Sequence, residues 1–151
     1  MKLAEALILR ADYQKRIEQM KNRLLSNAKV QEGEKPAENP NELLKELDII
    51  MAELTELIQR INKTNCNTYF DNERMLVDML AVRENIWNKR SILSSLAESA
   101  VIKLDRYSRS EVKFISMVNV AALQKEIEKL SKEFRELDTK IQEKNWTVSL
   151  L

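Results

Sequence analysis

Residues 40–65 read PNELLKELDIIMAELTELIQRINKTN, and this stretch decides the fold. Its apolar residues recur at alternating steps of three and four, which is the spacing of one face of an α-helix. The members of this face are Leu43, Leu47, Ile50, Leu54, Leu57 and Ile61. Leu44, Met51 and Ile58 widen the face on one side. A face of this width is broader than a two-stranded coiled coil needs, so it predicts a helical bundle.

The start of this helix is marked by its own residues. Asn39 can cap the helix, Pro40 suits the first helical position, and Glu42 follows the cap by three residues as in a capping box. The preceding stretch, residues 30–40, holds the only glycine and both prolines of the chain. It is therefore predicted to be a loop.

The same periodicity predicts three further long helices. We predict the four helices over residues 2–27, 40–65, 75–104 and 119–144. The apolar seam of the fourth helix is unbroken and Asn119 is its predicted cap, whereas arginines interrupt the seams of the first and third. One glycine and two prolines in 151 residues agree with helix nearly throughout.

These elements predict an all-α protein: an antiparallel bundle of four long helices, forming a single domain over residues 1–151. A short irregular or extended piece is expected between helices 3 and 4, over residues 106–119. Residues 1–29 carry a net charge of +4 and residues 30–66 a net charge of −4, so the first two helices are complementary. We interpret this matching as pairing within one chain, in a bundle that closes on itself. The alternative is matching between subunits, with two long hairpins that pair only in a dimer.

Composition excludes several classes of active site. The chain has no histidine, one cysteine (Cys66) and one glycine (Gly33). These counts exclude a Ser-His-Asp triad, a CxxC redox pair, a Cys-rich zinc site, a P-loop and a Rossmann fingerprint. We predict no catalytic residue, no metal site and no cofactor, and therefore a protein that is not an enzyme.

Charge and hydropathy bound the partners and the location. The 25 Lys and Arg residues nearly balance the 24 Asp and Glu residues, which argues against nucleic acid as a partner. The longest stretch without charge is 11 residues, 114–124, against the roughly 20 needed to span a bilayer. Glu5 and Arg10 interrupt the apolar run at the N-terminus, so it does not read as a signal peptide. We expect a cytoplasmic protein.

The interrupted seams carry the first set of candidate binding residues, which are Arg10, Arg83 and Arg90. An arginine that faces a core needs a carboxylate or a carbonyl as partner. One interpretation is a structural ion pair with Asp12, Asp78, Glu84 or a partner chain. Another is that the stem packs while the charged head reaches water. A third is an internal site in which two or three guanidinium groups bind an anion.

The second set of candidate binding residues lies between helices 3 and 4. Residues 106–113 combine three cations, Arg106, Arg109 and Lys113, with an aromatic residue and two hydroxyl groups. Such a loop is able to bind phosphate or a nucleic-acid backbone. Its arginines are equally suited to cap helix ends or to bridge subunits. The alternative function is therefore an anion, nucleotide or nucleic-acid binding module that uses this loop and the seam arginines.

The leading hypothesis is a protein that associates with itself in a structural or interaction role. It rests on the long apolar seams, on the wide face of the second helix and on an apolar tail. The tail comprises Trp146, Val148, Leu150 and Leu151 and is expected to dock on the bundle or on a neighbouring subunit. The partner predicted by this hypothesis is a second copy of the chain, with an anionic ligand as the alternative.

Four stretches of the chain resemble a known bacterial family. They are residues 1–40, RINKTN at 60–65, DRYSRSEVKF at 105–114 and RELDTKIQEKNW at 135–146. On these motifs the chain resembles the small all-helical family known as septicolysin, or as a domain of unknown function. The resemblance implies a mostly helical bundle and a bacterial source, and it implies no catalytic residue. The septicolysin name further implies a membrane-active, pore-forming protein.

Overall fold

The computed structural model describes residues 1–102 and 112–151. Four helices occupy most of this chain: α1 over Leu3–Ser26, α2 over Pro40–Asn67, α3 over Leu76–Ala100 and α4 over Val120–Thr147. No strand occurs in these residues, and Lys2 and Ser149 form an isolated antiparallel bridge. Residues 112–116, before α4, have no regular secondary structure. The all-α fold class is confirmed.

Two of the predicted helix starts are held by the expected side chains. Asn39 Oδ1 accepts a hydrogen bond from the backbone N–H of Asn41 at 3.0 Å, and Pro40 occupies the first turn of α2. Asn119 Oδ1 accepts from the backbone N–H of Ala122 at 3.0 Å. Both caps satisfy backbone donors that the first turn of a helix leaves without a partner.

Helix ends differ more from the prediction than helix starts. The Asn-rich stretch after residue 64 was expected to turn, but α2 continues to Asn67. Asn67 Nδ2 donates to the carbonyl of Lys63 at 2.7 Å, which caps the last turn of the helix. In contrast, α3 ends at Ala100, before its predicted end at residue 104. The two residues that follow Ala100, Val101 and Ile102, are β-branched, and such side chains have a slightly lower helix propensity.

The contacts divide the chain into two compact units. The first comprises Met1–Tyr69 and Gln142–Leu151, and the second comprises Phe70–Ile141. Helix α4 therefore contributes its longer, N-terminal part to the second unit and its last residues to the first. The single domain over residues 1–151 stays a prediction.

In the first unit, α1 and α2 pack antiparallel. Arg23 near the end of α1 reaches Glu46 near the start of α2 at 3.9 Å. Further along the pair, Tyr13 of α1 lies beside Glu53 of α2. Burial and a hydrogen bond to the Glu53 carboxylate raise the pKa of the Tyr13 hydroxyl. The buried residues of this pair are Leu3, Ala6, Met20, Leu43, Leu57 and Ile61.

The loop between α1 and α2 is held by Arg23 of α1 and by Asn27, the residue that follows the helix. Asn27 is buried; its Oδ1 accepts from the backbone N–H of Glu38 at 2.9 Å, and its Nδ2 donates to the carbonyl of Arg23. The Arg23 guanidinium donates twice to the Glu38 carboxylate, and this interaction lowers the pKa of Glu38. The charge matching expected between the first two helices is thus present within one chain.

In the second unit, α3 and α4 also pack antiparallel. Trp87 on α3 contacts Phe134 on α4, with ring centroids 5.0 Å apart and planes tilted by 48°. Residues that follow Trp87 on α3 meet residues that precede Phe134 on α4, as Arg90 does with Ser131. The core of this unit includes Leu76, Met79, Ala97, Ile127 and Leu130.

A short carboxylate-stabilised turn precedes α3. Asp71 Oδ1 accepts from the backbone N–H groups of Glu73 and Arg74, and its Oδ2 accepts from the Arg74 guanidinium. The turn is closed by the Phe70 N–H, which donates to the Arg74 carbonyl at 2.8 Å. These bonds, led by the Arg74 side chain, lower the pKa of Asp71 to about 2.

We expect this turn to make stability depend on acidity in a defined window. The pKa of Asp71 is about 2 in the folded chain against 3.8 ordinarily, so the folded state favours the ionised carboxylate. The stabilisation is complete above pH 4 and is lost as the pH falls toward 2. Thermal unfolding of wild type and Asp71→Asn, measured from pH 6 to pH 2, should therefore show a difference that shrinks below pH 4. A difference that stays constant over this range would contradict the assignment.

Candidate functional site

The first seam arginine of α3, Arg83, forms an intrachain ion pair. Its Nη1 lies 2.7 Å from Oδ1 of Asp138 on α4, and both side chains are partly exposed. The candidate partners predicted from sequence were Asp12, Asp78 and Glu84, whereas the observed partner, Asp138, is a carboxylate from a different helix. A partly exposed pair of this kind is worth about 0–1 kcal/mol. Arg83 thus has the structural partner that the ion-pair interpretation required.

The second seam arginine, Arg90, is held by a hydroxyl and an aromatic ring. Its Nε donates to Ser131 Oγ at 2.9 Å, and its guanidinium carbon lies 5.0 Å from the centroid of the Trp87 ring. Arg90 is half-buried. Arg90 and Arg83 are seven residues apart on α3, about 10 Å along the helix, and they bond to different residues of α4, Ser131 and Asp138.

The third seam arginine, Arg10, lies on α1 in the first unit. Its Nε is buried and has no hydrogen-bond partner among the described residues. A buried donor without a partner costs about 1–3 kcal/mol, so this position is energetically unfavourable as it stands. An internal anion site would bring two or three seam arginines together. Arg83 and Arg90 lie in the second unit, whereas Arg10 lies in the first.

Of the three cations in the predicted anion-binding loop, Lys113 is among the residues that the structure describes, and it is exposed. Arg106 and Arg109 lie outside the described residues, so the loop stays a prediction. In the described ranges, no group of three or more Cys, Asp or Glu residues is placed to bind a metal ion.

An apolar surface that the sequence analysis did not identify as a site lies where α3 ends and α4 approaches. Phe114 is 81% exposed and Met117 is 92% exposed, and Val112 and Ile115 are exposed as well. A cavity of about 330 Å³ opens beside these residues and is lined on the α3 side by Leu96, Ala100 and Ile102. A surface of this kind suits apolar side chains. Part of this surface corresponds in the sequence to the uncharged run at residues 114–124, which is too short to span a bilayer.

Helix α2 also leaves part of its apolar surface uncovered. Leu43, Leu57 and Ile61 are buried, whereas Leu44 is 48% exposed and Met51 is 49% exposed. Leu47, Leu54 and Ile58 are half-buried. The two-helix packing of α1 and α2 thus covers only one side of the wide face that the sequence predicted.

The apolar tail docks within the first unit. The backbone N–H of Leu3 donates to the Val148 carbonyl at 2.9 Å, and that of Leu150 donates to the Met1 carbonyl at 3.0 Å. The N–H of Leu151 donates to Thr64 Oγ1 at 3.0 Å, and Thr64 is fully buried. Of the two docking places expected for the tail, the structure shows the one within the chain.

Comparison with solved structures gives a full-length match. A crystal structure described as that of a functionally unknown conserved protein from Corynebacterium diphtheriae is 42% identical in sequence. The match covers 100% of this chain and 99% of that chain, with a TM-score of 0.92. Among curated proteins, the comparison found no match.

In the described part of the chain, no helix is both long enough and apolar enough to cross a membrane.

The resemblance to septicolysin is wrong. Neither the matching family model nor the similar crystal structure refers to septicolysin, and nothing in them points to pore formation. The family model that matches covers residues 10–150 and is described as a family of unknown function. The chain therefore belongs to the family of unknown function DUF6847.

Proposed function

We propose that this chain is a non-enzymatic protein that assembles with copies of itself through apolar helix faces. The observation that carries this proposal is the exposure of large apolar side chains on α2 and in the segment before α4. Leu44 and Met51 on α2 and Phe114 and Met117 before α4 are the main examples. Contiguous exposed apolar surface marks protein–protein contact sites in folded proteins.

Net charge is compatible with this kind of assembly. The chain carries 25 Lys and Arg residues and 24 Asp and Glu residues, which gives a formal net charge of +1. Two copies with a net charge near zero have little long-range repulsion to overcome, and a net charge near zero favours association.

The titrating groups support a non-enzymatic role. General acid–base catalysis at neutral pH is most efficient with a group whose pKa lies near 7. Interactions in this structure lower the pKa of the Glu38 and Asp71 carboxyl groups and raise that of the Tyr13 hydroxyl. These shifts all move the pKa away from neutrality, and the chain has no histidine.

The experiment that tests self-association is light scattering coupled to size exclusion, with native mass spectrometry of the same peak. We expect a defined species at micromolar concentration whose mass corresponds to two or more chains of 17.7 kDa each. A species of 17.7 kDa throughout the micromolar range would contradict the proposal.

One observation favours the second candidate, anion binding. The buried Nε of Arg10 has no hydrogen-bond partner in the described residues, and an anion would supply one. This function would also use the predicted loop, with Arg106, Arg109 and Lys113. Native mass spectrometry should then show a co-purified anion, and phosphate affinity should fall with salt and with the Arg106→Glu/Arg109→Glu double substitution. Unchanged phosphate binding in that variant would exclude the loop.

A further inference from the structure

We infer that Arg90 and Trp87 form a binding site for a carboxylate that is attached to an apolar group. Both residues lie on α3, within the second unit. The proposal rests on the anion-binding candidate described above and is independent of self-association. It adds the class of anion and places it on the α3–α4 pair instead of the loop with Arg106 and Arg109.

The guanidinium of Arg90 is held in a defined position by two contacts. Its Nε donates to Ser131 Oγ at 2.9 Å, and the Ser131 hydroxyl in turn donates to the carbonyl of Ile127 at 2.8 Å. Because the single hydroxyl proton is directed to Ile127, Oγ accepts the bond from Arg90 through a lone pair. The guanidinium carbon also lies 5.0 Å from the centroid of the Trp87 ring, which is a cation–π contact. An arginine fixed in this way loses little conformational freedom when it binds a ligand.

The other two nitrogens of this guanidinium are available to a ligand. Among the residues that the structure describes, Nη1 and Nη2 of Arg90 have no hydrogen-bond or ion-pair partner, and neither atom is buried. The other two cations of α3 are paired with carboxylates of α4. Arg83 lies 2.7 Å from Asp138, and Lys89 lies 3.6 Å from Glu126. The positive charge of Arg90 is therefore fixed in place without a carboxylate beside it.

These properties select a carboxylate next to an apolar group. The two Nη groups of a guanidinium donate in parallel to the two oxygens of a carboxylate, and one arginine balances the charge of one carboxylate. A phosphate group carries about −1.5 to −2 charges at neutral pH and is typically bound by a cluster of arginines. Trp87 is 44% exposed and packs against Phe134 with ring centroids 5.0 Å apart. The uncovered part of its ring system is placed to contact the apolar group, and Trp and Arg are enriched where binding energy concentrates.

A matched pair of small probes tests the site. N-acetylphenylalanine joins a carboxylate to an aromatic ring, and N-acetylphenylalaninamide has the same ring without the charge. Binding is measured by tryptophan fluorescence of the full chain with Trp146→Phe, in which Trp87 is the only tryptophan left. We expect the acid to change the Trp87 emission with millimolar affinity, and the amide to bind about tenfold more weakly or less, because the amide lacks the charge-assisted bonds to Arg90.

Three substitutions in the Trp146→Phe protein separate the planar pair of donors from simple charge. Arg90→Lys keeps the positive charge but loses the two parallel donors, so affinity for the acid should fall by about tenfold or more. Ser131→Ala leaves Arg90 in place but removes the hydroxyl that orients it, and should also weaken binding. The control is Arg135→Gln, which removes one positive charge from an exposed position on α4 and should leave the affinity within about threefold of the parent protein. Circular dichroism verifies that each variant remains helical.

The outcomes distinguish this site from anion binding in general. Acid binding that is lost in Arg90→Lys, weakened in Ser131→Ala and kept in Arg135→Gln would support the inference. No acid binding to the parent protein, or equal affinities for the acid and the amide, would overturn it. If the Arg106→Glu/Arg109→Glu double substitution abolishes acid binding and Arg90→Lys does not, anion binding itself stands and the site at Arg90 is wrong.

Discussion

Deleting residues 148–151 is expected to lower the free energy of unfolding by about 3–5 kcal/mol. The deletion removes hydrogen bonds that join the C-terminal segment to Leu3, Met1 and Thr64, together with the bond from Arg60 Nε to the Leu151 carbonyl at 2.9 Å. Each such bond contributes about 1 kcal/mol, and a buried donor left without a partner adds to the loss. Leu3 is fully buried, so its backbone N–H is such a donor.

The measurement is chemical denaturation of both proteins at one fixed protein concentration, since self-association makes stability depend on concentration. Ser149→Ala provides the control. Ser149 is exposed and pairs with Lys2 through its backbone, so the substitution should change the unfolding free energy by less than about 0.5 kcal/mol. A deletion variant with the same unfolding midpoint as wild type would show that the segment is not part of the stable unit.

Helix starts were predictable because their signals are local. Asn39 and Asn119 were expected to cap α2 and α4, and each accepts a hydrogen bond from the first turn. The end of α2 was misplaced by two residues. Asparagine is common in turns, but the side chain of Asn67 bonds to the carbonyl one helical turn earlier. The same residue type serves both purposes, and its sequence context does not distinguish them.

The partners of the seam arginines depend on how helices pair and could not be predicted from sequence alone. Asp138 is 55 residues from Arg83, and Ser131 is 41 residues from Arg90. Their proximity follows from the antiparallel packing of α3 on α4, which the periodicity of each helix does not specify. Both arginines are therefore recognisable as unusual from the sequence, but the partners predicted for them were carboxylates close in the chain, and the observed partners are far away in it.

The docking of the apolar tail shows a further limit of sequence reasoning. Val148 and Leu150 were expected to dock, yet their hydrogen-bond partners are backbone groups: the Leu3 N–H donates to the Val148 carbonyl, and the Leu150 N–H donates to the Met1 carbonyl. Backbone groups are common to all residues, so a hydrogen bond between two of them has no residue signature. The buried hydroxyl of Thr64, which accepts from Leu151, resembled any helical threonine in the sequence.

Replacing Ile61 by alanine is expected to lower the free energy of unfolding by about 2–5 kcal/mol. Ile61 is 1% exposed and lies on the side of α2 that packs within the first unit. The substitution removes three side-chain carbons from a site that cannot fully collapse, so the loss of burial is joined by the cost of a cavity. The exposed Ile49 on the same helix is the control, because Ile49→Ala removes the same atoms from a surface position and should change stability by less than about 0.5 kcal/mol.

This pair of substitutions compares a buried and an exposed isoleucine of the same helix, Ile61 and Ile49. If Ile61 stabilises the chain itself, Ile61→Ala lowers the denaturation midpoint by the same amount at low and at high protein concentration. Equal losses in Ile61→Ala and Ile49→Ala would contradict the buried position of Ile61.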